Sequence, residues 1–516
     1  MHGGMESAIK LYQWLASVVT WRDVVVVLLA AIVTRWFDRT FLQPFLSPLR
    51  KLPGRPYRPL VGNMFEALQG EAMTTAIRWL RMHNSLTIRY YHFGGKERVL
   101  TADPKVFRHI MVTNEKNYKR VRPQSPIVKL MGQALFFLSG DIHHSVRKLL
   151  NPAFSLKMLE NMIPVFEAKA KKVVTQWKEK FTQASDGTEQ IEFSIQDYMT
   201  RIALDSICFT GLDFDLDAIG QPDTAGVQIL TKYLRQVGGA SLLASLIPFY
   251  NLLPTKVNRQ RWEEEKYIKS VINKRISEKR QYFRGREESA VNEARDFLSL
   301  LVMARDEQGK PIPDELVFEN VAGLLFAGFD TTSITLTWTM LHLASYQEVQ
   351  EQARKEVKSV IPDNCDKITH EMLDQLHYLH CVIKETQRLY PVVSNTTREA
   401  LTDDEINGLH IPAGTKVVLH LGALHRMEEN WENPDKFLPE RFMNDTEPYR
   451  HLPFIAGPYM CIGHKFAMLE MRMVLSSLLR EFEFSVVPNY TFKRIQALSV
   501  KPKPPLVLNV KRINNR

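Results

Sequence analysis

A mainly α-helical chain with a small β lobe is what this sequence predicts, on three observations. Residues from about 104 to 389 repeat apolar side chains at three- and four-residue steps with few breaks. Ahead of them, LTIRYY at 86–91 and RVLT at 98–101 flank Gly94 and Gly95, the pattern of a hairpin. Behind them, strand-forming runs return near Arg398, His410 and residues 417–420, and again between 492 and 510.

The elements follow in chain order. Residues 24–33 lack any polar side chain, a run short of the roughly 20 residues that cross a bilayer. Extending it back to residue 11 gives the length but takes in Arg22 and Asp23, which are costly inside lipid unless paired or interfacial. Trp14, Trp21 and Trp36 suit interfacial anchors, and Arg35, Arg39, Arg50, Lys51, Arg55 and Arg58 crowd the downstream side. Residues 1–40 are therefore expected to anchor the chain in the endoplasmic-reticulum membrane, with the catalytic part cytosolic. Pro53, Pro56 and Pro59 stiffen a connector over 41–63, and the remaining 64–516 reads as one domain. Polar stretches at 213–224 and 284–293 read as surface loops, and 424–453 as an ordered meander rich in proline and aromatics.

Composition narrows the function. Four cysteines in 516 residues make no disulfide framework, so a reducing compartment is expected. The net charge of +10 suits an anionic membrane surface and an acidic protein partner. Nucleic acid is excluded, because no basic cluster interleaves with aromatics.

Residues 454–463, FIAGPYMCIG, carry the most chemistry. Cys461 lies in a turn before a helical run in which Phe466, Ala467, Leu469, Met473 and Val474 recur with helical spacing. Backbone N–H groups at that helix start should lower its thiol pKa and favour the metal-binding thiolate. Gly457 and Gly463 should let the backbone approach a flat group lying over the sulfur. A buried structural cysteine is the plain alternative. Four further segments weigh against it. KETQRLYP at 384–391 places Glu385 and Arg388 on one helix face, and FLPERF at 437–442 offers Arg441 to the same ion cluster. AGFDTT at 327–332 interrupts an apolar helix spanning about 317–344, where a local widening of the helical ladder is expected. GDIHHSVRKLL at 140–150 precedes NPAF.

In this order the segments resemble the cytochrome P-450 superfamily of haem-thiolate monooxygenases, over nearly the whole chain. The resemblance implies the cytochrome P-450 fold for 64–516, haem b as cofactor, and Cys461 as the axial ligand of its iron. It implies haem contacts from Ala327, His143, Arg147, Arg398, Phe454, Gly457, Tyr459 and Gly463. It gives Asp330 and Thr331 the delivery of protons to bound oxygen; the competing role for Thr331 is a bond to its own helix carbonyl. Glu385, Arg388 and Arg441 become structural. Two positions depart from the family pattern: Tyr459 replaces a cation two residues before the ligand, and His143 replaces a tryptophan four residues before Arg147. Both positions normally contact the haem propionates.

The implied activity inserts one oxygen atom from O2 into a lipophilic small molecule such as a steroid, terpenoid or fatty acid. Electrons would come from NADPH through NADPH-cytochrome P-450 reductase, with cytochrome b5 as a further partner. A haem-thiolate isomerase or dehydratase needing no oxygen is the alternative, disfavoured because Asp330 and Thr331 are both present. Residues 128–137, 317–332, 392–397 and 497–500 match the family's substrate-contacting segments.

Overall fold

The computed structural model describes residues 20–513, apart from 123–126, 185–188, 238–249, 286–293, 307, 363–364, 366, 445 and 498. Trp14, the apolar run back to residue 11 and most of the 284–293 loop lie outside the described residues. Helices dominate, with the strands gathered into two sheets and two hairpins.

The first described helix, Trp21–Phe37, opens on a capping box in which Thr20 and Asp23 satisfy each other's backbone donors. This gives the acid of the Arg22-Asp23 pair a local role at the helix start. Among the described residues, no helix is long and apolar enough to cross a membrane.

At the centre lies the helix Asp314–Ser345, most of whose residues from Val317 onward are buried. Threonine is a poor choice for a buried helix unless its hydroxyl finds a partner. Here Thr331, Thr335, Thr337 and Thr339 each donate to the carbonyl four residues back, at 2.6–2.8 Å. The expected local widening at 327–332 does not occur; the α-helix runs through unbroken. Gly328 serves packing instead, because a Cβ there would meet Ile207 Cδ1 at 2.9 Å on the helix Ile195–Leu212.

The predicted hairpin forms β1 (Thr87–Tyr91) and β2 (Glu97–Thr101), paired antiparallel. Two short strands interrupt the helical stretch, β3 (Tyr118–Arg120) and β4 (Gln190–Ser194). The middle β region supplies β5 (Thr396–Ala400), β6 (Asp404–Ile406), β7 (Leu409–Ile411) and β8 (Lys416–Leu419). The first sheet runs β1-β2-β8-β5-β3, which brings residues 118–120 beside 396–400. The C-terminal strands are β9 (Phe482–Val486), β10 (Lys493–Gln496), β11 (Val500–Lys503) and β12 (Val507–Arg512). β9 begins earlier than the sequence suggests, directly at the end of the helix His464–Glu481, and pairs with β12 in the sheet β4-β12-β9. Its Phe482 and Phe484 close an aromatic cluster around buried Trp177, and that burial sets its register.

The ion cluster forms as expected. Glu385 and Arg388 are wholly buried and paired two-pronged at 2.7 and 2.8 Å, and Arg441 reaches Glu385 at 3.1 Å. Arg388 also donates to the carbonyls of His425, Pro434 and Lys436. It thereby ties the meander to the helix His377–Leu389.

Candidate active site

A cavity of about 440 Å3 lies between the central helix and the cysteine loop. Cys461 opens on it. The loop is held by Cys461 N–H donating to Phe454 O at 3.0 Å and Met460 N–H to Gly457 O at 3.0 Å. One expectation for the loop is corrected. Burial in the protein body raises the Cys461 thiol pKa, outweighing the Gly463 backbone donor and the nearby Arg147 and Arg120, which act to lower it. Gly457 also answers to packing. Gly457 has φ +69°, and a Cβ there would strike Met111 O at 2.1 Å, so the close approach is to protein backbone. Gly463 caps the following helix at φ −88°, where a Cβ would meet only Phe154 at an ordinary 3.6 Å.

Facing Cys461 from the central helix are Ala327 and Thr331. The Thr331 hydroxyl donates to Ala327 O at 2.6 Å, the local bond weighed above. Its oxygen can still accept from a group in the cavity. Asp330 is buried and is not among the residues lining the cavity, because it points from a neighbouring face of the helix.

One wall is densely cationic. The described lining includes Arg120, Arg122, Arg147 and Arg398, and no aspartate or glutamate. Arg147 comes from the helix Gly140–Leu150 and donates to Met460 O at 2.5 Å. Arg398 comes from β5 and donates to Thr396 Oγ1 at 2.7 Å and Thr397 O at 3.2 Å. Burial pulls its pKa down to about 10. Arg120, which the sequence reading missed, ends β3 and donates to Leu135 O at 3.1 Å and Tyr459 O at 3.3 Å. Burial, then repulsion from Arg398, lowers its pKa to about 9. Nothing in the spacing of KR at 119–120 singles it out; only the sheet brings it across 339 residues to Tyr459.

His143 is fully buried at the cavity with both ring nitrogens unpartnered. Burial and the charges of Arg120 and Arg147 push its pKa down to about 3, which keeps it neutral. Its ring lies 4.5 Å from that of Tyr459. The Tyr459 hydroxyl accepts from Gly140 N–H at 3.0 Å, fixing the start of the helix that carries His143 and Arg147.

The rest of the lining is mostly apolar, including Val121, Phe136, Ile207, Leu324, Val392 and Val393. Three of the four expected substrate segments contribute; the described residues of 497–500 do not. Val500 is held in the core, where its N–H donates to Val392 O and its carbonyl accepts from Trp338 Nε1. A buried guanidinium, Arg398, two partly buried ones, Arg120 and Arg147, and an unpartnered buried imidazole make this wall costly unless an anion meets it. The donor set fits a flat, apolar group with two carboxylates at one edge and a metal that takes sulfur, which is the chemistry of haem.

Comparison with known proteins agrees with this fit. The family model described as Cytochrome P450 matches residues 52–510. Cytochrome P450 4c21 of Blattella germanica is 30% identical over 458 residues, covering 85% of this chain and 88% of that protein. Cytochrome P450 72A13 of Arabidopsis thaliana is 28% identical over 529 residues, covering 94% and 98%. Secologanin synthase 2 of Catharanthus roseus is 28% identical over 525 residues, covering 93% and 96%.

Proposed function

This chain belongs to the cytochrome P450 family of haem b-dependent monooxygenases, and from that premise we propose that Cys461 ligates the haem iron beneath a cavity that admits a lipophilic small molecule. The observation that carries the reading is Cys461 opening on a cavity lined, among the described residues, by four arginines and no carboxylate. Haem bearing a thiolate on its iron supplies the activation of dioxygen, since sulfur donates electron density and favours O–O cleavage.

The chain's own residues do the rest. Arg147 and Arg398 carry the charge that holds propionates, and His143 adds a neutral donor. Phe454 and Ala327, both on the cavity lining, bound the cofactor. Thr331 presents a hydroxyl oxygen to the oxygen site while keeping its proton on Ala327 O, and Asp330 behind it supplies an acid on the same turn. Val121, Phe136, Leu324 and Val392 exclude water and hold C–H bonds over the centre. The substrate is a steroid, terpenoid, fatty acid or molecule of similar polarity.

Family members take electrons from reductase partners. For this chain the donor is NADPH-cytochrome P-450 reductase, with cytochrome b5 as a second partner. Exposed Lys148 and Lys465 beside the cysteine loop and the Arg147 helix suit an acidic surface. The helix Trp21–Phe37 leaves Val26, Leu28, Ile32 and Trp36 exposed, which supports contact with the endoplasmic-reticulum membrane. The test is product formation from candidate lipids with purified protein, reductase, NADPH and oxygen. Turnover that persists without oxygen would overturn the monooxygenase assignment in favour of isomerisation or dehydration.

A further inference from the structure

Of the four arginines on the described lining of the cavity, three gather at the cysteine loop. Arg120 and Arg398 lie over the Tyr459 ring, and Arg147 donates to Met460 O. Arg122 stands apart from them. Its Nε donates to Phe137 O at 3.4 Å and its Nη2 to Gly132 O, on a stretch that packs against the central helix. These bonds use two of the five N–H donors of a guanidinium, and the side chain is exposed, so donors remain for a partner. The carboxylate that feels its charge, Glu319, is committed elsewhere, accepting from Gln133 N–H at 3.0 Å. Burial also raises the Glu319 pKa, against the pull of that donor and of Arg122, which makes it a weak counter-ion. Around Arg122 the lining is apolar, with Val121, Phe136 and Phe137. Asn320, the nearby amide, is engaged at both ends, by Leu135 N–H at 3.1 Å and Leu316 O at 2.9 Å.

An apolar wall beside one cation with spare donors matches a lipophile that carries an anion, and the planar fork of arginine suits a carboxylate. Resting on the monooxygenase reading above, we propose that Arg122 is a specificity-determining residue and that the substrate is a lipophilic carboxylic acid whose carboxylate it holds. Glu319 lies about three turns before Thr331 on the central helix, so an acid group at Arg122 is kept away from the oxygen site. The carboxylate selects the molecule, and the apolar body is what reaches the centre.

The experiment measures the affinity of purified holoprotein for three acids near neutral pH, each beside its own methyl ester. The acids are dodecanoic, abietic and lithocholic acid, which differ in the shape of the apolar body. Affinity is read by calorimetry, and the Soret shift reports entry to the cavity. The parent should bind at least one acid about tenfold more tightly than its ester, the scale of one charge-assisted hydrogen bond. Arg122→Gln should lose that preference while binding the ester like the parent, and Arg122→Lys should keep most of it. Added salt should narrow the preference in the parent and leave Arg122→Gln unaffected. A parent that binds none of the acids more tightly than its ester overturns the proposal. So does an Arg122→Gln variant that weakens acid and ester equally, because that is the effect of an arginine that only ties down residues 132–137. In both cases a normal Soret band leaves the haem reading standing, whereas a parent protein without that band would remove both.

Discussion

Arg120 and Arg398 face each other across the antiparallel pair of β3 and β5, with both guanidiniums over the ring of Tyr459. Strand pairing of this kind sets two cations beside one aromatic ring, Arg398 buried and Arg120 partly so. Their pKa values fall to about 9 and about 10 as a result of burial, with repulsion from Arg398 adding to the effect at Arg120. The neutral state of His143 follows from its burial first, and then from the charges of Arg120 and Arg147.

The thiol is the first target. Cys461→Ser keeps the turn, because the loop is held by the backbone bonds of Cys461 to Phe454 and Met460 to Gly457. The reduced carbon-monoxide complex of the parent should show the red-shifted band of thiolate ligation, and the variant should lack it. A variant that keeps this band would mean another residue ligates the iron.

Thr331→Ala removes a hydroxyl that, among the described residues, bonds to Ala327 O within the same helix. The fold should hold, with stability changed by less than about 1 kcal/mol. Haem and substrate binding should be kept while electrons are diverted to peroxide. The measurement is the ratio of NADPH consumed to product formed; an unchanged ratio would leave the hydroxyl with the helix bond as its sole role.

Arg388→Met leaves Glu385 buried without its two-pronged partner and frees three carbonyls of the meander. Breaking a buried pair from one side costs about 3–5 kcal/mol. The expected result is a lower denaturant midpoint together with loss of haem. Activity lost at full stability would place Arg388 in the chemistry instead.

Glu470 gives a pH dependence. It is buried on the helix His464–Glu481, and burial raises its pKa to about 8, with Ser206 offsetting part of the effect. The unfolded chain releases this proton near 4.5. Between those values the folded protein holds a proton that the unfolded chain has lost, so raising the pH favours unfolding. The loss is about 1.4 kcal/mol per pH unit across that window and nothing below it. Glu470→Gln should therefore match the parent near pH 4.5 and melt at a higher temperature at pH 8. Equal melting temperatures at pH 8 would mean the carboxyl is already ionised and solvated there.

What the amino-acid order determined by itself was the set of local elements and the motif-bearing residues. Helical periodicity marks the central helix and the helix after Cys461, the paired glycines at 94–95 mark the first hairpin, and a three-residue step makes Glu385 and Arg388 partners. These are short-range effects, readable because the interacting groups lie within a turn or two of each other. The tertiary structure decided what depends on distant segments meeting. Gly328 and Gly457 owe their identity to Ile207 and Met111, far from them in the chain. The Cys461 thiol pKa rises because the surrounding body of the protein desolvates it, against the pull of its own helix start. Asp330 and Thr331 are adjacent, yet only Thr331 lines the cavity, since successive helical residues point in directions about 100° apart. Arg120 was invisible in the sequence because a lone arginine after a lysine resembles any solvated pair. Its place over Tyr459 is set by the pairing of β3 with β5, a long-range contact that no local periodicity encodes.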